Sequence, residues 1–236
     1  MDHATSSPLE SALEVRASER CRLLAETLVR RTGAHAVGLM GISAEDGTHL
    51  VLLNVDYAPE TLDHHATRHY TVHTPGVRQI LQRPGALHSW DDIADFRRTP
   101  LAQAVYEPAG FRNGMSVALA TPGRPAIGML HVSTREDRMD PDTLNLVERS
   151  SHVLAEWVDA MTRFRLARLS ERQAQILCRV REGLSNAEIA TELVISPRTV
   201  TTHVEHILRK LGVANRTQAA VLAERYGLVA PALIDA

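Results

Sequence analysis

The chain has twelve histidines, two cysteines and 28 Asp and Glu residues, but few of these groups are spaced so that they could act together. His64, His65, His69 and His73 form the densest set, and three of them are four apart. On a helix that spacing puts three imidazoles on one face, as a metal or haem site would require. Residues 68–72 alternate like a strand instead, and strand neighbours four apart are too far separated to converge on one ion. Solvated or hydrogen-bonded histidines are therefore expected, with no metal and no cofactor. His88, Ser89, Asp91 and Asp92 could imitate a nucleophile with its base. No nucleophile elbow, phosphate-binding loop or paired-carboxylate pattern accompanies them, so they read as pocket wall and the chain is not expected to be an enzyme. Cys21 and Cys178 lie far apart on helical patterns, which suggests two small buried residues in a reducing compartment and no disulfide.

A third set is better ordered. From 197 to 211, Val200, Val204, Ile207, Leu208 and Leu211 recur on one side of a helix. Arg198, Thr199, Thr201, Thr202, Glu205, Arg209 and Lys210 remain on the other. That outer face is polar, small near its start and basic near its end. It suits a major groove, with hydroxyls near base edges and cations near phosphates.

Short helices must hold this face in place. Ser170-Glu171-Arg172-Gln173 and Ser185-Asn186-Ala187-Glu188 are capping boxes, and Ser196-Pro197 opens a third helix with proline at its first position. Gly183 and Gly212 end helices, and a fourth begins near Asn215-Arg216-Thr217. The second and third helices, 186–193 and 197–211, are joined by Val194-Ile195-Ser196, the short connection of a helix-turn-helix. Ile189, Ala190, Leu193 and Ile195 face the apolar side of the third helix, and the small Ala190 allows close approach. Asn186 and Arg216 complete the expected DNA-facing set.

The preceding two thirds read differently. A helix over 9–31, with Gly33 as its stop, leads into strands at 36–42 and 49–55 separated by Glu45-Asp46-Gly47, a hairpin signal. A further strand is expected at 68–72 and a short helix at 76–82. Pro84-Gly85 breaks the chain, 91–109 reads as loop and short helix, and strands at 115–120 and 127–133 flank the turn sequence 121–125. Asp140-Pro141-Asp142 then starts a helix expected to run from 141 to about 167, striped by Leu144, Val147, Leu154, Trp157, Val158, Met161 and Phe164. This order predicts an α+β fold, an antiparallel sheet with helices on one face, followed by an all-α four-helix domain.

Bulk properties agree with a globular protein: 236 residues, 44% hydrophobic, 4% aromatic, net charge −2. From Arg168 onward nine Arg and Lys stand against seven Asp and Glu, whereas the rest carries seventeen against twenty-one. A mildly basic tail behind an acidic body fits a nucleic-acid-binding appendage. No apolar run reaches bilayer-spanning length and the N-terminus has no signal-peptide pattern, so a cytoplasmic location without membrane association is expected.

The run Gly183-Leu184-Ser185-Asn186-Ala187-Glu188-Ile189-Ala190, then Ile195-Ser196, Thr199-Val200, His203-Val204, Ile207 to Val213 and Asn215-Arg216-Thr217-Gln218-Ala219, resembles the LuxR-type DNA-binding domain almost without gaps over about sixty residues. The resemblance implies a four-helix unit that dimerises on double-stranded DNA and reads the major groove with its third helix. Two positions depart from the family: Thr201 stands where Lys is frequent, and Glu205 where Lys, Ser or Asn is usual. DNA binding with an altered base preference is the expected result. Upstream, Gly76, Pro84-Gly85, Trp90-Asp91-Asp92, Gly110-Phe111-Arg112 and Ile127-Gly128-Met129-Leu130 stand in the order that resembles a GAF domain, over roughly 20–160. That implies a dimerising or ligand-sensing module with a pocket between the sheet and the 90–111 segment, for which Trp90, Tyr106, Phe111 and Met115 are the candidate lining residues. No loop cysteine is present to attach a bilin, and the Asn-Lys-Phe-Asp-Glu series of cyclic-nucleotide-binding members is missing. A phospho-receiver domain is excluded by the lack of any Lys other than Lys210.

The expected organisation is a GAF-like sensory or dimerisation domain over 1–160, a helical connector over 161–168 and a LuxR-type helix-turn-helix domain over 169–236. Double-stranded DNA, a second copy of the chain and an unidentified small molecule are the expected partners. The alternatives are a helical protein-interaction module without DNA binding, and a haem or metal sensor acting through the GAF-like part.

Overall fold

The computed structural model describes residues 21–66, 74–121 and 125–226. The chain divides into two compact units, Arg20–Thr162 and the part from Arg163 onward. The expected strand at 68–72, with His69 and His73, lies outside the described residues, as do 9–20 of the expected first helix and 122–124 of the expected turn.

The first unit is built on five antiparallel strands: β1 (Ala36–Ile42), β2 (His49–Val55), β3 (Leu87–Ser89), β4 (Asn113–Leu119) and β5 (Gly128–Thr134), in the spatial order β2-β1-β5-β4-β3. The expected Asp-Gly turn joins β1 to β2. Gly47 adopts φ +70, a conformation that favours glycine, and Asp46 accepts hydrogen bonds from the backbone N–H and hydroxyl of Thr48. A register shift between Leu39 and Met40 marks a bulge in this pair. Helices α1 (residues 21–31), α2 (Pro59–His65) and α3 (Pro75–Gln82), two short 3-10 turns at Trp90–Asp92 and Phe96–Arg98, and a π-helical turn at Ala102–Tyr106 surround the sheet. The long helix α4 spans Pro141–Ala167 and starts where its N-terminal capping signals place it.

Helices cover both faces of the sheet, which corrects the expectation of a single covered face. Ala36, Met40, Ala118 and Met129 pack with Leu62 of α2, Val77 and Ile80 of α3 and the rings of the 90–111 segment. Their neighbours of opposite parity, Val37, Leu39 and Leu130, meet Cys21, Leu24 and Leu28 of α1 and Leu154 of α4. The reason lies in the central strands. β5 is buried at every position and β1 at all but its last, so neither side of them can be left in water. Gly41 and Gly128 let α4 lie close on that second face. A Cβ at Gly41 would strike Thr162, and one at Gly128 would strike both the Met40 carbonyl oxygen and Val158.

The second unit holds four short helices: α5 (Glu171–Arg181), α6 (Asn186–Glu192), α7 (Pro197–Leu211) and α8 (Arg216–Tyr226). Ser170, Ser185 and Ser196 accept from the third backbone N–H of their helices, and Gln173 and Glu188 complete the two expected boxes. Gly212 closes α7 at φ +62. Ile176, Leu177, Ile189, Val200, Ile207, Leu211 and Ala223 form the core, each 1% exposed or less. At roughly 1.5–3 kcal/mol per fully buried large aliphatic side chain, this cluster dominates the stability of so small a unit. Val194, in the turn between α6 and α7, is 88% exposed with φ +52, a strained conformation for a β-branched residue.

Candidate nucleic-acid interface

The two helices that must present the interface are α6 and α7. Their connection is tight because the Ile195 N–H donates to the Ala190 carbonyl at 3.0 Å and the Leu193 N–H to Ile189 at 3.0 Å. With Val200, Ile207 and Leu211 buried inward, the outer surface of α7 is fixed by helical geometry. Arg198, Thr199, Thr201, Thr202, Glu205, Arg209 and Lys210 are all exposed, while Asn186 and Arg216 are half-buried.

These side chains are not equally available. The Thr201 hydroxyl donates to the Pro197 carbonyl at 3.0 Å and that of Thr202 to Arg198 at 3.2 Å. The Thr199 hydroxyl shares a hydrogen bond of 2.8 Å with Ser196. The protons of Thr201 and Thr202 are thus engaged along the helix, and the Thr201 oxygen also accepts from Asn186 Nδ2 at 3.0 Å, while every one of these threonines keeps its methyl group for an outside contact. Arg198 and Arg209 form no ion pair among the described residues, and neither does Glu205. Lys210 is engaged within its own unit: its ammonium donates to the Arg168 carbonyl at 3.0 Å and to the Gln173 side chain at 2.9 Å. It tethers the end of α7 to the capping box of α5, because these two oxygens lie within reach of a four-carbon stem. Arg216 and Asn186 are likewise engaged with each other, Arg216 also with the Leu184 carbonyl and Asn186 also with Thr201 of α7. Exposed His206 is absent from the expected set. It lies four residues after Thr202 and one turn before Arg209–Lys210, and that spacing alone would have placed it beside them.

In the first unit, the expected pocket residues separate. Trp90 and Tyr106 have ring centroids 5.1 Å apart, Tyr106 and Phe111 6.4 Å, and Phe96 joins Trp90 at 5.0 Å. Met115 does not join them. It pairs with Val132, which pairs with Val37, so it stands on the α1 side of the sheet; its neighbour Gly114 is the residue that faces Trp90. The period-two alternation of the strand accounts for the difference.

Polar groups lie beside the rings: His65, expected from sequence to be solvated or hydrogen-bonded, and His131, Ser116, Tyr57 and Ser133, which the sequence did not single out. His65 and His131 stack with centroids 4.8 Å apart, His65 Nε2 meets the Tyr106 hydroxyl at 2.5 Å, and His131 Nδ1 meets Ser116 Oγ at 2.8 Å. Tyr57 Oη and Ser133 Oγ share a hydrogen bond of 2.7 Å. Burial pushes the His131 imidazole down to about 3 and His49 to about 4, and holds His65 well below the ordinary histidine range, so all three are neutral at pH 7. Ser89 and Asp92 cap the first 3-10 turn, the hydroxyl donating to the carboxylate at 2.8 Å, and His88 faces Gln79 of α3 at 3.5 Å. This is a structural use of residues that could have imitated a catalytic pair. Among the described residues no three His, Cys, Asp or Glu side chains converge as metal ligands.

Comparison with known proteins bears on the second unit. Residues 167–223 match the family described as bacterial regulatory proteins, luxR family. The transcriptional regulatory protein LiaR of Bacillus subtilis is 52% identical over 61 residues, which is 26% of this chain and 29% of LiaR. The chain thus spans under a third of the length of the curated relatives it matches. Among solved structures, Escherichia coli SdiA aligns over 92% of each chain at 22% identity and a TM-score of 0.43. The GAF domain region of a putative membrane protein from Geobacter sulfurreducens aligns over 63% of this chain and 96% of its own at 16% identity and 0.49.

Proposed function

We propose that this chain, whose residues 167–223 form a LuxR-family domain, is a sequence-specific DNA-binding transcription regulator. It binds double-stranded DNA as a homodimer in the cytoplasm, through a helix-turn-helix domain over 169–236. The observation that carries this reading is the outer stripe of α7: exposed Arg198, Thr202, Glu205 and Arg209 backed by fully buried Val200, Ile207 and Leu211. A helix packed so firmly on one side and left polar on the other fits a major groove. Arg198 and Arg209 supply contacts to phosphate or guanine, Glu205 accepts from a cytosine amino group, and the threonine methyls meet thymine methyls.

The part over 1–160 acts in this reading as a GAF-like sensory or dimerisation domain, joined by a connector over 161–168. Its ligand would lie against Trp90, Tyr106 and Phe111. Ligand binding would bias the packing of α4 and so the spacing of two DNA-binding domains on a two-fold operator. A metabolite that binds the native state raises the melting temperature of the purified chain.

Selection of duplexes from a random library on the full chain tests the DNA-binding reading. A two-fold consensus is expected, and Glu205→Gln is expected to relax one C·G position in each half-site by about 1–3 kcal/mol of discrimination. A Glu205→Gln consensus identical to that of the parent protein would remove Glu205 from the reading face.

A further inference from the structure

Arg216 opens α8, and the N-terminal end of a helix is where a cation is least favoured, because the backbone dipole is positive there. Its guanidinium turns away from its own helix. Nη1 donates to Asn186 Oδ1 at 2.9 Å and Nη2 donates to the Leu184 carbonyl. The Asn186 Nδ2 then donates to the Thr201 hydroxyl at 3.0 Å, and that hydroxyl donates to the Pro197 carbonyl at 3.0 Å. One line of hydrogen bonds therefore runs from the start of α8, through the first residue of α6, to the first turn of α7. Both ends of the Asn186 carboxamide are engaged in the only orientation that satisfies both partners. Two acceptors at fixed positions also set the plane of the Arg216 fork, and the charge on the donor strengthens its bond to Asn186.

We propose that Arg216 is a positioning residue for DNA recognition: it acts through Asn186 and Thr201 to set the first turn of α7 against α6, and it does not ligate a phosphate. The inference rests on the DNA-binding reading above. The Thr201 hydroxyl is the group that closes the line onto the Pro197 carbonyl. Arg198 and Thr199 stand in that same turn, so its placement decides which base edges they meet.

The test uses the full chain, a duplex obtained by selection, and an unrelated duplex of equal length, with affinities measured across a salt series. Arg216→Gln and Arg216→Lys are each expected to weaken the selected duplex about tenfold, and to leave both the unrelated duplex and the slope of log K against log salt unchanged. Lysine fails because an ammonium cannot hold two divergent acceptors in one plane. Thr201→Val is expected to cost at least threefold less affinity in the Arg216→Gln background than alone, although the two side chains do not touch. Thermal melts confirm that each variant is folded at the assay temperature, and if Arg216→Gln is not, Arg216→Lys carries the measurement. A lysine variant with parental affinity, or a glutamine variant whose salt slope falls by about 1.8 (one phosphate contact on each of two protomers), identifies a phosphate contact and overturns the inference. Failure of the parent chain to retain any duplex would overturn the DNA-binding reading itself.

Discussion

At the scale of single residues, two left-handed backbone positions bracket the recognition helix and should respond oppositely to substitution. Val194 holds φ +52 with its side chain in water, so it bears conformational strain with little packing in return. Val194→Gly is expected to raise the stability of the C-terminal unit by about 0.5–1 kcal/mol, the relief of strain exceeding the added freedom of the unfolded chain. Gly212 holds φ +62 at the end of α7, and Gly212→Ala is expected to lower stability by about 1 kcal/mol. Urea midpoints of the two variants check the pair, and a shift of the same sign in both would contradict the strain argument. Gly212 was legible as a helix stop because glycine after an apolar stripe has one common use. The strain at Val194 was not, because valine in a turn gives no local signal of its φ. Nor was the inward reach of Lys210 and Arg216, since a long basic side chain on a polar face has the same sequence pattern whether it points outward or back.

The elements themselves were largely legible. The three Ser-capped helix starts, the Asp-Gly hairpin and the 141–167 helix each follow from a local rule that the structure obeys. Which face of an element meets which neighbour required more than local rules. Met115 was expected beside Trp90, and one residue of strand parity puts Gly114 there instead. The second covering layer has a local signal of its own, because the unbroken apolar run of Ala36, Val37, Leu39 and Met40, with no polar alternation, requires cover on both sides of β1. Gly128 marks where α4 approaches that layer. A methyl there would meet the Met40 carbonyl oxygen and Val158, so Gly128→Ala is expected to destabilise the first unit by about 3 kcal/mol. Gly47→Ala, at a turn with open space around it, is expected to cost only about 1 kcal/mol. Equal losses in chemical denaturation would show that α4 does not press on the sheet at this position.

For the molecule as a whole, the buried imidazoles tie the stability of the first unit to pH. His131 and His49 are each 2% exposed, and their folded-state values of about 3 and 4 lie below the 6.5 of an unfolded histidine. Between pH 6.5 and 5 the unfolded chain therefore takes up protons that the folded chain refuses. Stability falls as pH falls, by roughly 1.4 kcal/mol per pH unit for each such histidine, and is flat in this respect above pH 7. The urea midpoint of this unit should drop from pH 7 to pH 5, and His131→Asn should flatten the drop. A midpoint constant across that window would place these rings in water. Sequence pattern suggested the two-part organisation and the polar face of α7, because both rest on runs of residues close together in the chain. The stacking of His65 on His131 joins positions 66 residues apart, and nothing local to either announces it. The most direct measurement of the central claim is the affinity of the full chain for its selected duplex as salt is raised. Arg198 and Arg209 on each of two protomers should give a log–log slope of about −3.6, made shallower by Arg198→Ala with Arg209→Ala. Affinity indifferent to salt, or no retention of any duplex at low ionic strength, would contradict it.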